Sequence, residues 1–156
     1  MTLFRIDDEA ALRAAFRPRD LRAWAPPARV AWPLLVRDCV SWADPVGDHV
    51  CVVFQDPVSR QPLGISFQRE SAAGATGSRL CDWCHAFGSV REIGLLMCER
   101  TSRRRIGVWL CRDLACADRA EEVAFRAGRN GKKARAVVVE RMWHFAQHGL
   151  GIQQVP

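Results

Sequence analysis

The segment Leu80-Cys-Asp-Trp-Cys-His85 is followed by Cys111-Arg-Asp-Leu-Ala-Cys116, with 26 residues between Cys84 and Cys111. Each pair brings two sulfurs within reach of one ion, and two such pairs joined by a loop suit a tetrahedral zinc site. The second spacing, with four intervening residues, is wider than the usual two. Two other chemistries with a similar appearance do not fit. A thioredoxin-like redox pair sits where a strand enters a helix. Here the Ala/Gly/Ser tract 71–78 precedes Cys81, and Ala86-Phe-Gly-Ser89 follows the pair. A zinc deaminase needs His-x-Glu upstream and Pro-Cys-x-x-Cys downstream. Only His49 precedes Cys81, and Leu80 occupies the proline position. Four buried thiols without metal remain the alternative, since free cysteine packs as a small hydrophobe.

Working outward, Gly94 to Glu99 and Ile106 to Cys111 read as two strands around the basic turn Thr101-Ser-Arg-Arg-Arg105. They deliver Cys111 to a strand end. Leu114 to Ala127 reads as a helix with Asp113 as N-cap, placing Cys116 in its first turn. Knuckle, hairpin, then a helix carrying the last ligand is the treble-clef order, and the out-and-back hairpin accounts for the 26-residue gap. Gly128 to Lys133 reads as a basic loop and Ala134 to His148 as a final helix, with Val138, Met142 and Phe145 at helical spacing. Upstream, Asp7 to Phe16 predicts a short helix, and Arg22 to Pro33 an irregular stretch. The β-rich runs His49–Gln55 and Leu63–Arg69 flank a Pro-punctuated turn and predict a hairpin. The expected class is α+β, with the short helix and β-hairpin packed on the treble clef and its C-terminal helix. The expectation is one domain over residues 1–156, divided into a helix-plus-hairpin part (1–78) and the zinc part (79–156).

Composition bounds the rest. The 156 residues are 49% apolar and 26% charged, which excludes a disordered or collagen-like chain. No apolar run approaches the ~18 residues of a membrane span, and the opening residues lack an apolar signal core. With seven cysteines, an odd number, the chain is expected to hold reduced thiols in the cytoplasm rather than a disulfide framework. The net charge of +6 is confined to the second half. Residues 1–78 carry nine arginines against nine carboxylates, and residues 79–156 carry fourteen basic residues against eight acidic ones. An acidic partner is therefore steered to the zinc half. No Gly-rich phosphate loop, nucleophile elbow or paired-carboxylate signature is present, so the reading is a binding module without a small-molecule substrate, not an enzyme.

The segments Leu80–His85 and Gly107-Val-Trp-Leu-Cys-Arg-Asp-Leu-Ala-Cys116, preceded by the 50–69 hairpin, resemble the elongation-factor-G-binding proteins of the fusidic-acid-resistance (FusB-like) type. The likeness is to their C-terminal treble-clef zinc domain. The resemblance implies Cys81, Cys84, Cys111 and Cys116 as ligands of one zinc ion. It also implies elongation factor G as partner, with release of that factor from the ribosome as the effect. A closed site of four thiolates leaves no open coordination position, so the ion is expected to be structural. Longer members carry an N-terminal helical bundle, where this sequence shows one short helix.

Candidate contact residues are Arg103, Arg104 and Arg105 at the hairpin tip, Arg112, and Lys132 and Lys133 in the basic loop. Either cluster suits an acidic protein face or RNA phosphate, or is simply a solvated turn. A nucleic-acid-binding zinc protein acting on ribosomal RNA or DNA is the second functional reading. A third, metal or redox sensing, uses Cys98. Trp83 has two readings, a contact aromatic or a lid over the sulfurs. Trp109 reads as core. Cys98 has two readings as well, core packing or a fifth thiol near the metal, and His85 is read as a neighbour of the site. Glu140, His144 and His148 recur every fourth residue on one helix face, where a solvated surface competes with a two-residue metal chelate.

Overall fold

Asp38 turns the chain through a left-handed corner (φ 63°), a conformation a short polar side chain tolerates better than most. Before that corner, β1 (Leu3–Ile6) and β2 (Leu34–Arg37) form an antiparallel ribbon. After it, β3 (Cys39–Ala43) enters the main sheet. In the computed structural model, which describes residues 1–44 and 48–152, that sheet has five antiparallel strands. β4 (His49–Gln55) and β5 (Pro62–Arg69) form the expected hairpin, and β8 (Ile93–Thr101) and β9 (Arg104–Cys111) the second one. The order is β3-β4-β5-β8-β9, joined at the middle by Gln68 opposite Met97 and Arg69 opposite Leu96. A short ribbon of β6 (Ser78–Leu80) and β7 (Phe87–Ser89) carries the first cysteine pair in its turn.

Strand alternation divides the interior in two. Val50, Val52, Phe54, Ile65, Phe67 and Leu96 share one core with the C-terminal helices. Those helices are α2 (Cys116–Arg126) and α3 (Gly131–His144), the latter ending in a π-helical turn, Phe145–Gly149. Cys51 and Val53 join the other core, with Phe4, Ile6, Val36, and Leu12 and Phe16 from the N-terminal helix region. There α1 is only Glu9–Arg13, capped by the Asp8 carboxylate, which accepts from the Ala11 N–H at 2.7 Å. A 3-10 helix, Pro18–Ala23, follows. Gly64 permits this layer to lie close on the sheet, because a Cβ there would stand 2.6 Å from the Phe16 ring.

Three sequence expectations change. The two hairpins are not parts of separate halves but neighbours in one sheet, and β1, β2 and β3 are additional strands of four or five residues. The helix expected from Asp7 to Phe16 is one short turn-rich segment, with Pro18 stopping it and the 3-10 helix taking over. The second half of the basic loop 128–133 is helix. Asn130 caps α3 by accepting from the Lys133 N–H at 3.2 Å, so Lys132 and Lys133 lie in its first turn.

Arg135 of α3 ties the two layers together. It is 3% exposed and donates to Asp38 at 2.8 Å, to Glu121 at 3.1 Å, to Asp118, and to the Arg37 carbonyl at 3.2 Å. Asp38 is itself 4% exposed and also accepts from the Thr2 N–H at 2.7 Å. Removing the guanidinium strands a buried carboxylate. Arg135→Ala is expected to lower stability by about 3–5 kcal/mol in chemical denaturation. Arg129→Ala, at an exposed position, is expected to change it by less than about 0.5 kcal/mol.

Candidate metal centre

The knuckle is shaped by the backbone before any ion is considered. Cys81 N–H donates to the Ala86 carbonyl at 2.9 Å, and His85 N–H donates to the Cys81 carbonyl at 2.9 Å. His85 takes φ 60° to close that turn, and its side chain is exposed. Asp82 N–H donates to the Trp109 carbonyl at 2.8 Å, which fastens the knuckle to β9. Cys111 ends β9. The turn to α2 passes through Leu114 at φ 55°, with Leu114 N–H on the Cys111 carbonyl at 3.0 Å. Asp113 accepts from Ala115 N–H at 3.0 Å and from both guanidinium nitrogens of Arg119 at 2.6 Å. Asp113 therefore braces the turn before the helix rather than capping it, because the N-cap residue is Ala115.

These turns bring the Sγ atoms of Cys81, Cys84, Cys111 and Cys116 within 4.8 Å of one another. Cys81 and Cys116 are 3.7 Å apart and Cys84 and Cys111 3.5 Å. Such separations are far too long for a disulfide. Zinc–sulfur bonds of ~2.3 Å at tetrahedral angles place sulfurs roughly 3.8 Å apart, so the cage fits the ion. Cys84 N–H points at Cys81 Sγ (3.5 Å), a donor that stabilises thiolate. With protons instead of metal, the four sulfurs cannot all ionise. Hydrogen bonds from Cys111 and then Cys116 hold Cys81 and Cys84 below the usual thiol range. Hydrogen bonding to Cys111, Cys81 and Cys84 pushes Cys116 far above it. A divalent cation removes that conflict and leaves four thiolates.

Aromatic packing seats the knuckle on the core. Trp83 is 2% exposed and lies edge-on to Phe67 and Phe145, at centroid distances of 5.8 and 6.1 Å. Its carbonyl accepts from Arg141 of α3 at 2.6 Å. The contact-aromatic reading of Trp83 is thus corrected, since its indole is buried against two rings and offers no face to a partner. Arg112 is corrected too. Its guanidinium donates to the Glu70 carbonyl at 3.1 Å and packs over Gly94, so it belongs to the frame. Trp109 is half-buried rather than core and carries Arg79 on its ring at 4.9 Å.

The remaining candidates are scattered. Arg103 and Arg104 are exposed at the β8–β9 turn, while Arg105 folds back to Gln68 (2.9 Å) and Glu70 (3.6 Å). Lys132 and Lys133 are exposed on α3. Cys98 is outside the four-sulfur cage. Burial pushes its thiol up to about 12, with Arg17 3.6 Å away, and burial pushes Cys51 up to about 11. Glu140, His144 and His148 are all exposed, and the two imidazoles lie tilted at 42° with centroids 4.4 Å apart. Sequence reasoning missed Phe87, 76% exposed and directly opposite Leu80 (49% exposed) on the knuckle ribbon. Their alternation with Arg79 and Gly88 in a three-residue strand was too short a signal.

The chain matches the FBP C-terminal treble-clef zinc-finger family over residues 11–149. Among solved structures it is similar to the fusidic acid resistance protein FusC, at a TM-score of 0.56 and 12% identity. That match covers 92% of this chain and 59% of FusC, so the chain spans about three-fifths of that protein's length. No curated protein sequence matches significantly.

Cys116→Ser is expected to release the metal and disorder the turn between β9 and α2, because three thiolates lose both closure and affinity. Metal content after dialysis and circular dichroism read both effects. Retained metal with an intact fold would remove Cys116 from the site. Alkylation at pH 8 is expected to spare Cys51 and Cys98 in the folded protein and, after chelation, to reach Cys84 first, the one half-buried sulfur of the cage.

Proposed function

Because the chain belongs to the FBP C-terminal treble-clef zinc-finger family, we propose that it is a non-catalytic binding module that holds one structural zinc ion, docks on elongation factor G and promotes that factor's release from the ribosome. Support for the partner comes from the family resemblance and from the likeness to the fusidic acid resistance protein FusC. Among the described residues no helix is long and apolar enough to cross a membrane.

The observation that carries the docking reading is the exposed surface around the metal cage. Phe87 and Leu80 stand on a ribbon whose turn is pinned by two of the sulfurs. A large aromatic on a preordered support buries area at little cost in lost motion, the profile of an interface anchor. Arg103 and Arg104, unpaired among the described residues, add positive charge at the sheet's far turn, suited to bidentate contacts with carboxylates.

Binding of purified elongation factor G, followed by surface plasmon resonance at two salt concentrations, tests this reading. Phe87→Ala is expected to weaken affinity at least tenfold through faster dissociation, with zinc content and melting temperature unchanged. Arg103→Ala/Arg104→Ala is expected to slow association, and the difference is expected to shrink at high salt. No binding by the unmutated protein would reject the partner. Salt-sensitive binding to ribosomal RNA in its place would favour the nucleic-acid reading.

A further inference from the structure

On the sheet face opposite the metal cage, the N-terminal layer stops short and leaves a cleft of about 100 Å³ beneath the 3-10 helix. That is space for roughly three waters, and so for one small tetrahedral anion. Its walls are rich in donors: two arginines free of any partner among the described residues, and Arg105, which already holds Gln68 (2.9 Å) and Glu70 (3.6 Å). Arg19, half-buried, and Arg22, exposed, line it and make no hydrogen bond or ion pair among the described residues. Arg105 reaches in from β9. Gln68 spends its carbonyl oxygen on Arg105 (2.9 Å), which leaves its amide N–H groups free to donate. Ser66 is 8% exposed and accepts the Cys51 thiol at 3.7 Å, so its own hydroxyl proton remains to be given.

Two carboxylates also line the cleft, and they differ. Asp20 is neutralised by Arg17, which holds both of its oxygens at 2.8 and 3.0 Å. The carboxylate of Glu99 has no such partner among the described residues, and it faces Arg105 across the β8–β9 register. His49 also lines the cleft, and beside these donors the unpartnered Glu99 carboxylate suits a ligand that is anionic and still carries a proton. Hydrogen phosphate satisfies both requirements near neutral pH, and sulfate fails the second.

We propose that this cleft is a phosphoryl-anion site in which Arg19, Arg22 and Arg105 grip the oxygens of hydrogen phosphate and Glu99 accepts its P–OH proton. Guanidinium groups match phosphate oxygens in geometry as well as charge. The site lies away from the four sulfurs and is independent of the proposed protein partner.

Isothermal titration of the zinc-loaded protein with inorganic phosphate at pH 7.5, at constant ionic strength set by chloride, tests the site. One phosphate per chain is expected, with sulfate at least about tenfold weaker. Arg19→Ala/Arg22→Ala is expected to lose phosphate affinity by about tenfold or more. Neither arginine holds the fold together, so the melting temperature without phosphate should stay the same. Lys132→Ala/Lys133→Ala, which removes equal charge elsewhere, is expected to bind as the unmutated protein does. Glu99→Gln, whose amide offers a donor, is expected to close the gap between phosphate and sulfate. Adenosine 5′-monophosphate, tested beside adenosine, separates the sources. Displacement of phosphate by the nucleotide, whose phosphoryl group has lost its second proton by pH 7.5, would overturn the P–OH contact to Glu99, and no displacement assigns the site to the free ion. Undiminished phosphate binding in the double arginine variant, or sulfate binding as tightly as phosphate, would overturn the proposal.

Discussion

Four sulfurs drawn to one point by the chain hold together segments that share little other surface. The knuckle ribbon has only three residues in each strand, and α2 begins at the ligand Cys116 itself. Neither element could order itself in water, because a two-stranded ribbon of that length is marginal and an eleven-residue helix needs tertiary support. Coordination to a common cation makes these weak elements cooperative. Apparent binding of a structural zinc, about 10–16 kcal/mol in small domains, exceeds the net stability of most folds. The metal cage is thus the constraint from which the position of α2, and through Arg135 that of the N-terminal layer, follows.

That dependence explains the placement of the buried polar groups. Arg135 is expensive to desolvate, and the fold offsets the cost with Asp38, Asp118, Glu121 and a backbone carbonyl on one guanidinium. The network joins α2, α3 and the corner between β2 and β3. Its α2 members, Asp118 and Glu121, stand on the helix whose first residue is the ligand Cys116. At the other end of α3, the Phe67–Trp83–Phe145 triangle passes the position of the knuckle on without any charge. Two different currencies, ionic and aromatic, therefore report the same metal geometry to opposite ends of α3.

The cysteine cage was legible because ligand chemistry imposes spacing, and spacing survives in a bare sequence. The two hairpins were legible because their strands run to seven residues or more with β-branched alternation. The ribbon of β1 and β2 was not, since Leu3–Ile6 and Leu34–Arg37 are four-residue strands paired across the 27 residues of unlike sequence between them. The start of α3 was hidden by Lys132 and Lys133, because positive charge is unfavourable at a helix N-terminus and reads as loop. Trp83 could not be resolved between surface and interior, as a tryptophan between two ligands has no periodic neighbours to vote on its face. The Arg135 network was beyond reach altogether: Asp38 lies 97 residues away in the chain.

The central claim is that a closed cage of four thiolates organises this fold. X-ray absorption at the zinc edge of the purified protein addresses it most directly, since the scattering shell counts and identifies the ligands themselves. The account predicts a single shell of four sulfurs at about 2.3 Å, with no nitrogen or oxygen scatterer. A shell containing nitrogen or oxygen at about 2.0 Å, or protein that folds with no zinc signal, would contradict it.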